Sequence, residues 1–184
     1  MPLAVVNEDQ IGNPALPIFW QGFNLGFPYI GEAGMGGFWT SQNPAHATAL
    51  VTEGAGPCQI IVVHCTNGHG ALGHYAAHWN PAMILQGLQT MLNALPGVAL
   101  DAILFAAGVI GDQRSQLMYE MQIVAGGRQI APGARVMWPT QRPDDNWGAA
   151  MYLPLTGQVA LFHSFPRSIV GRTGVGNGLT PHGY

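Results

Sequence analysis

The sequence predicts an α+β sandwich with largely antiparallel sheets. Short runs rich in β-branched residues are joined mostly by glycine-containing turns of the kind found in hairpins. Only two segments have helical spacing, so few connections resemble βαβ crossovers. With 184 residues and 48% hydrophobic side chains, the chain has the length of one domain with a buried core.

The first segment, residues 11–45, is rich in glycine, proline and aromatic residues. Because glycines interrupt both helix and strand, we expect irregular structure held in place by the aromatic rings. An arm packed on the core is the simpler interpretation, and a lid over substrate is the alternative. We therefore divide the chain into an N-terminal arm (1–46), one domain (47–171) and a flexible tail (172–184).

Three predicted strands follow the arm. Ala49–Val51 is a short strand that runs into a glycine-rich turn. The continuous apolar run Gln59–Cys65 is typical of a buried strand. Asn67-Gly68 signals a tight hairpin turn, so residues 71–78 return as the partner strand.

Two helices and a closing hairpin complete the predicted elements. Asn80 is a good N-cap and Pro81 suits the first helical position. Leucine, isoleucine and methionine then recur at helical spacing until Pro96-Gly97. A second helix is predicted for Asp112–Val124, ended by Gly126-Gly127. The remaining predicted strands are 98–105, 135–137, 150–153 and 158–163.

Composition and charge exclude several classes of protein. The formal net charge is −3 with no basic cluster, so nucleic acid is not an expected partner. No apolar run reaches the roughly 18 residues of a membrane helix, and no membrane partner is expected. The two cysteines, Cys58 and Cys65, are too few for a disulfide framework.

The composition also bears on location. Residues 1–10 carry Glu8 and Asp9 and no basic side chain, unlike a Sec-type signal peptide. All six basic residues are arginine, so the surface offers no lysine to ubiquitin. We expect a cytoplasmic protein by default, with delivery into another cell as the alternative.

Cys58 is the strongest candidate for a reactive group. It follows a glycine-rich turn that starts at Thr52 and stands at the head of the predicted strand Gln59–Cys65. Backbone N–H groups of such a turn can lower a thiol pKa and hold an oxyanion. A small buried hydrophobic residue is the alternative interpretation of a free cysteine.

His74 is the candidate base for this thiol. A hairpin turning near Asn67-Gly68 pairs positions whose numbers sum to about 133, which places His74 opposite residue 59 and beside Cys58. His78 lies on the same strand face as His74 and is the second candidate. A cysteine nucleophile needs a base that the fold brings close, and the predicted hairpin supplies one.

At these residues the chain resembles the CheD family of bacterial chemotaxis glutamine deamidases. Residues 50–58 (LVTEGAGPC) are similar to the family's threonine, glycine-rich turn and nucleophilic cysteine, and residues 73–75 (GHY) to its histidine segment. Residues 105–108 (FAAG) and 151–161 (MYLPLTGQVAL) resemble later parts of the family pattern. The residue before the cysteine is Pro57, which has no N–H to donate.

The resemblance, which covers roughly residues 47–165, implies a fold and an activity. It implies a three-layer α/β/β sandwich, shared with the cytotoxic necrotizing factor-type toxins. It also implies a protein-glutamine (or asparagine) deamidase without a cofactor, with Cys58 as nucleophile, His74 as base and Thr52 orienting the imidazole. The expected partner is a protein that bears the target Gln or Asn. Alternatives are a transglutaminase with the same site and a binding module with an inert cysteine.

A metal site is the remaining alternative. Five soft or borderline ligands lie within fifteen residues of one another, namely His64, Cys65, His69, His74 and His78. Zinc prefers such groups. The spacing matches no standard zinc pattern, and His64 and Cys65 point in opposite directions if both lie in a strand. We therefore assign no metal ligand.

Overall fold

Two β-sheets stack face to face, and two helices cover the outer face of the larger sheet. A computed structural model of the chain shows this arrangement, which confirms the predicted α+β sandwich. It describes residues 1–7, 29–32, 36–41, 48–56, 58–76, 80–95, 97, 99–107, 113–139, 147–163 and 179–182.

The smaller sheet has five strands in the order β1-β10-β9-β4-β2. Their bounds are Ala4–Asn7 (β1), Tyr29–Glu32 (β2), Thr48–Thr52 (β4), Ala149–Leu153 (β9) and Gln158–Phe162 (β10). The inner pairs β10/β9 and β9/β4 are antiparallel, whereas the edge strands β1 and β2 pair in parallel.

The larger sheet has six strands in the order β11-β3-β6-β5-β7-β8. Their bounds are Gly37–Ser41 (β3), Gln59–Cys65 (β5), Gly70–Tyr75 (β6), Leu100–Ala107 (β7), Arg135–Met137 (β8) and Leu179–His182 (β11). Only its edge strand β8 pairs in parallel. The prediction of largely antiparallel sheets is therefore confirmed for the described strands.

Strand β5 separates two hydrophobic cores. Ile60 and Val62 belong to the inter-sheet core between the two sheets. Ile61 and Val63 belong to the helix-side core beneath the helices. Because both faces of β5 are covered, all seven of its residues are buried. This double burial explains why the strand reads as a continuous apolar run.

The β5–β6 hairpin forms where Asn67-Gly68 predicts it. Gly68 has φ of 83°, a conformation that glycine adopts without strain. The cross-strand partner of His74 is Ile60, one residue further along than the predicted residue 59. Strand β6 ends at Tyr75, and His78 lies outside the described residues.

Helix α1 spans Pro81–Ala94 and begins as predicted. The Met83 N–H donates to Asn80 Oδ1 at 3.0 Å, which makes Asn80 the N-cap. Ile84, Leu88 and Met91 form the buried face of the helix against the larger sheet. Neither helix within the described ranges is long and apolar enough to cross a membrane.

Helix α2 spans Gln113–Ile130, so the prediction that Gly126-Gly127 ends it is wrong. Both glycines lie inside the helix at close contacts. A Cβ on Gly126 would lie 2.2 Å from Leu85 Cδ1 of α1, and one on Gly127 would lie 3.0 Å from Phe105 Cε2. The glycines therefore let α2 approach α1 and the sheet closely, and they do not act as helix caps.

The predicted arm and tail both contribute strands. Strand β3 comes from the arm, and its Phe38 and Trp39 are buried. Strand β11 comes from the tail and pairs with β3. A purely irregular arm and a wholly flexible tail are therefore not observed at these residues. Apart from 29–32 and 36, the residues of the predicted lid segment outside β3 lie outside the described ranges.

Candidate active site

Cys58 lies at the end of a tight turn that links the two sheets. The turn leaves β4 after Thr52 and passes through Gly54 and Gly56, whose φ angles of 65° and 35° favour glycine. The Ala55 N–H donates to the Gly148 carbonyl at 2.8 Å, which attaches the turn to the segment before β9. Cys58 itself is 8% exposed.

The residue after Cys58 is held by three side-chain hydrogen bonds. Gln59 Nε2 donates to the carbonyls of Ile60 at 3.0 Å and Ala106 at 2.8 Å. The Tyr119 hydroxyl of α2 donates to Gln59 Oε1 at 3.2 Å. Gln59 is fully buried. These bonds fix the backbone at the start of β5 and therefore the position of the preceding thiol.

Thr52 and His74 meet across the gap between the sheets. Thr52 Oγ1 lies 2.9 Å from His74 Nδ1, although β4 belongs to the smaller sheet and β6 to the larger one. Both residues are buried. The contact predicted between the threonine hydroxyl and the imidazole is present in the structure.

The strand register places Cys58 next to this pair. His74 is directly opposite Ile60, and Cys58 lies two residues before Ile60 on the same face. By register, Cys58 is therefore a diagonal neighbour of His74, and diagonal positions are about 7–8 Å apart along the sheet. Cys58 and Ile60 both pack in the inter-sheet core. All three predicted site residues thus lie at the interface between the two sheets.

Two of the backbone donors of the turn are engaged. The Cys58 N–H donates to the Ala55 carbonyl, and the Ala55 N–H donates to Gly148. Residue 57 is proline and has no N–H. In the described chain, Gly54 and Gly56 retain turn N–H groups that donate to no backbone carbonyl. The expected supply of free N–H groups around Cys58 is therefore smaller than the sequence indicates.

Trp147 is a residue of this region that the sequence interpretation missed. It is 3% exposed, it directly precedes Gly148, and it shares the inter-sheet core with Cys58 and Ala55. Its ring lies 5.2 Å from the ring of His163. The indole Nε1 is buried and has no hydrogen-bond partner among the described residues. The only indication of this residue in the sequence was a tryptophan directly after the polar segment 140–146.

A second histidine bridges the sheets further along β5. His64 Nδ1 lies 2.6 Å from the Tyr152 hydroxyl, and His64 Nε2 lies 2.8 Å from the Met1 carbonyl. Because a carbonyl only accepts, Nε2 carries the proton and Nδ1 accepts from Tyr152. Burial lowers the pKa of His64, and this effect outweighs the hydrogen bond to Met1, which raises it. His64 is therefore a neutral structural residue.

An ion pair anchors β1 close to His64. Asp101 Oδ2 accepts from the Leu3 N–H and from Arg135 Nη2, both at 2.7 Å. Burial tends to raise the pKa of Asp101, but the bonds from Arg135 and Leu3 outweigh it and lower the pKa. These contacts lie apart from Cys58, at the opposite end of β5, and they tie the N-terminal strand to the larger sheet.

The structure separates the candidate metal ligands. Cys65 packs in the helix-side core, while His64 contacts Tyr152 on the other face of β5. Burial raises the pKa of the Cys65 thiol to about 11. Among the described residues, no three His, Cys, Asp or Glu side chains are grouped so that they could hold a metal ion. His78 lies outside those residues.

Comparison of the chain with protein-family models and with curated proteins found no match.

Proposed function

We propose that this protein is a CheD-like, cysteine-dependent deamidase that hydrolyses the side-chain carboxamide of Gln or Asn in a protein. The observation that carries the proposal is the contact between Thr52 Oγ1 and His74 Nδ1 on the face where Cys58 lies. A nucleophile, a base and a group that orients the base are the three components of this chemistry.

The hydroxyl of Thr52 can accept from the imidazole in the form that the reaction needs. When Nδ1 carries the proton and donates to Thr52 Oγ1, Nε2 keeps its lone pair and can accept a proton. The buried, inter-sheet position of both residues limits other ring orientations. Thr52 in this way has the role that an aspartate or asparagine has in other nucleophile–histidine sites.

The reaction proceeds through a thioester. His74 takes the thiol proton, the Cys58 sulfur bonds to the carboxamide carbon, and the carbonyl oxygen becomes an oxyanion. The C–N bond then breaks, and ammonia leaves with the proton from His74. His74 next takes a proton from water, the resulting hydroxide attacks the thioester, and the carboxylic acid is released as the Cys58 thiol re-forms.

The test is incubation of candidate target proteins with the enzyme, followed by mass spectrometry. Deamidation adds about one dalton to a Gln or Asn because –NH2 is exchanged for –OH. Transfer to an added primary amine would instead add the mass of that amine less ammonia, which would show a transglutaminase. If no target protein changes mass and Cys58 resists iodoacetamide at neutral pH, the protein is a binding module and the proposal is wrong.

Cys58→Ser is the first variant to compare. We expect loss of activity with the fold retained, because a hydroxyl is a far weaker nucleophile near neutral pH and the change in volume is small. Cys65→Ser is the matched control. Cys65 lies in the other core with a thiol pKa of about 11, so this variant should keep its activity. Retained activity in Cys58→Ser would show that the nucleophile lies elsewhere.

A further inference from the structure

We infer that the indole N–H of Trp147 donates a hydrogen bond to the oxyanion that forms when Cys58 attacks a carbonyl carbon. The inference rests on the proposed function and assigns a further catalytic residue to the same site. It follows from three observations: the engaged donors of the turn, the position of Trp147, and its buried donor without a partner.

The two turn positions nearest the thiol, residues 57 and 58, offer no free N–H to an oxyanion. In many acyl-transfer sites the nucleophile's own N–H fills this role. Here the Cys58 N–H already donates to the Ala55 carbonyl. The neighbouring residue, Pro57, has no N–H. A side-chain donor close to the turn can replace these groups, as asparagine, tyrosine and histidine side chains do in other enzymes.

Trp147 is attached to the nucleophile turn through its neighbour Gly148. The bond from the Ala55 N–H to the Gly148 carbonyl joins the segment that contains Trp147 directly to the turn that contains Cys58. Trp147, Ala55 and Cys58 belong to the same packed cluster. Thr52 is also paired with Ala150, three residues after Trp147. The tryptophan is therefore attached to both the nucleophile turn and the strand of the orienting threonine.

The state of the indole points to a ligand. Trp147 is 3% exposed, and its Nε1 has no partner among the described residues. Buried donors in folded proteins are nearly always paired, and an unpaired one requires an explanation such as a ligand or a catalytic role. An indole nitrogen only donates, so the partner must be an acceptor. A developing oxyanion is such an acceptor.

Two probes that react with the same thiol separate this role from a structural one. p-Nitrophenyl acetate acylates Cys58: the sulfur–carbon bond forms through a tetrahedral oxyanion, and p-nitrophenolate leaves. Iodoacetamide alkylates Cys58 by displacement of iodide at a saturated carbon, and no oxyanion forms. Both reactions need the Cys58 thiolate, so their rate ratio isolates oxyanion stabilisation.

The variant is Trp147→Phe, which removes the N–H and keeps an aromatic ring. We expect its acylation by p-nitrophenyl acetate to slow by about 10²-fold, the usual loss when one oxyanion donor is removed, with alkylation by iodoacetamide unchanged. The matched control is Trp138→Phe. Trp138 also has a buried Nε1 without a partner in the described chain, but it stacks on Phe105 of the helix-side core. This control should leave both rates unchanged.

The outcomes are distinct. Equal changes in the two rates of Trp147→Phe, or no change in either, would overturn the inference. If that variant does not fold by circular dichroism, replacement of Trp147 by β-(3-benzothienyl)alanine keeps the bicyclic shape and removes the N–H, and the same rate ratio decides. Wild-type Cys58 that reacts with neither probe would refute the proposed function itself, which is a different result from a failure confined to Trp147.

Discussion

Cys58, His74 and Thr52 come from a turn and two strands in different sheets, and all three are buried. Their types and the β5–β6 hairpin were readable from the sequence, because Asn67-Gly68 marks the turn, but the predicted register was one residue off. The distance of 2.9 Å between Thr52 and His74 was not readable. It depends on how two sheets stack, and no local pattern in the sequence encodes that separation.

Removal of the imidazole should affect the chemistry far more than removal of the orienting hydroxyl. We expect His74→Ala to lower the rate of the chemical step by about 10²–10⁴-fold, the usual contribution of general acid–base catalysis. Thr52→Val keeps the shape of the side chain and deletes the hydroxyl. We expect a loss of about five- to tenfold, since one hydrogen bond contributes about 1 kcal/mol and about 1.4 kcal/mol corresponds to a factor of ten.

The measurement is a single-turnover rate on a deamidation substrate, with p-nitrophenyl acetate as a substitute. His64→Ala provides the control for loss of a buried histidine, because His64 contacts Tyr152 and Met1 and does not contact Thr52. Its effect on the chemical step should be smaller than that of His74→Ala. Equal losses in the two histidine variants would show that the fold, and not the base, is responsible.

The ends of strands and helices were predicted correctly where local chemistry decides them, and wrongly where a distant contact decides them. The bounds of β5 and the N-cap of α1 agree with the structure because a buried apolar run and an Asn-Pro start are local signals. Gly126-Gly127 misled the prediction because their function is tertiary: they let α2 pack against Leu85 and Phe105. Strand β11 was missed for a similar reason, since its partner β3 is more than a hundred residues away.

Gly70 should be one of the least replaceable residues of the larger sheet. It lies opposite His64, and a Cβ there would lie 2.1 Å from the Tyr152 hydroxyl and 2.7 Å from two ring carbons. The Tyr152 ring is rigid and fully buried. We therefore expect Gly70→Ala to destabilise the protein by at least about 1–3 kcal/mol, the usual cost of overpacking, and to disturb the contact between His64 and Tyr152.

Chemical denaturation measures this effect. Gly97→Ala is the control, because a Cβ at Gly97 meets no atom within 4 Å. Its unfolding free energy should stay within about 0.5 kcal/mol of wild type or rise slightly. If Gly70→Ala proves as stable as Gly97→Ala, the Tyr152 side chain can move away from residue 70, and the close packing of Tyr152 on Gly70 does not limit stability.

The molecule as a whole should lose stability in mild acid through His64. Its folded pKa is lowered by burial from 6.5, so the unfolded chain binds more protons than the folded one below that pH. The free energy of unfolding is therefore highest above pH 6.5 and decreases as the pH falls towards the folded pKa. Asp101, whose folded pKa is lowered from 3.8, loses its contribution only at lower pH.

The test is the unfolding free energy from pH 6.5 down to about pH 5, above most carboxyl titration, for wild type and His64→Gln. The variant cannot titrate at this position, so we expect a smaller slope of free energy against pH in this window. Identical slopes would assign the acid sensitivity to another group. Activity should be followed in parallel, because a loss of rate at the proposed site is a different effect from a loss of folding.

The contact between Thr52 and His74 has a mechanical consequence. One partner is on each sheet. The distance between Thr52 and His74 therefore depends on the separation of the sheets, which in stacked sheets is about 10 Å. Under the proposed function, a distant substitution that slides or wedges the sheets by a fraction of an ångström would lower the reaction rate without touching a reacting atom. The rate of the proposed reaction would then report how well the two sheets stay aligned.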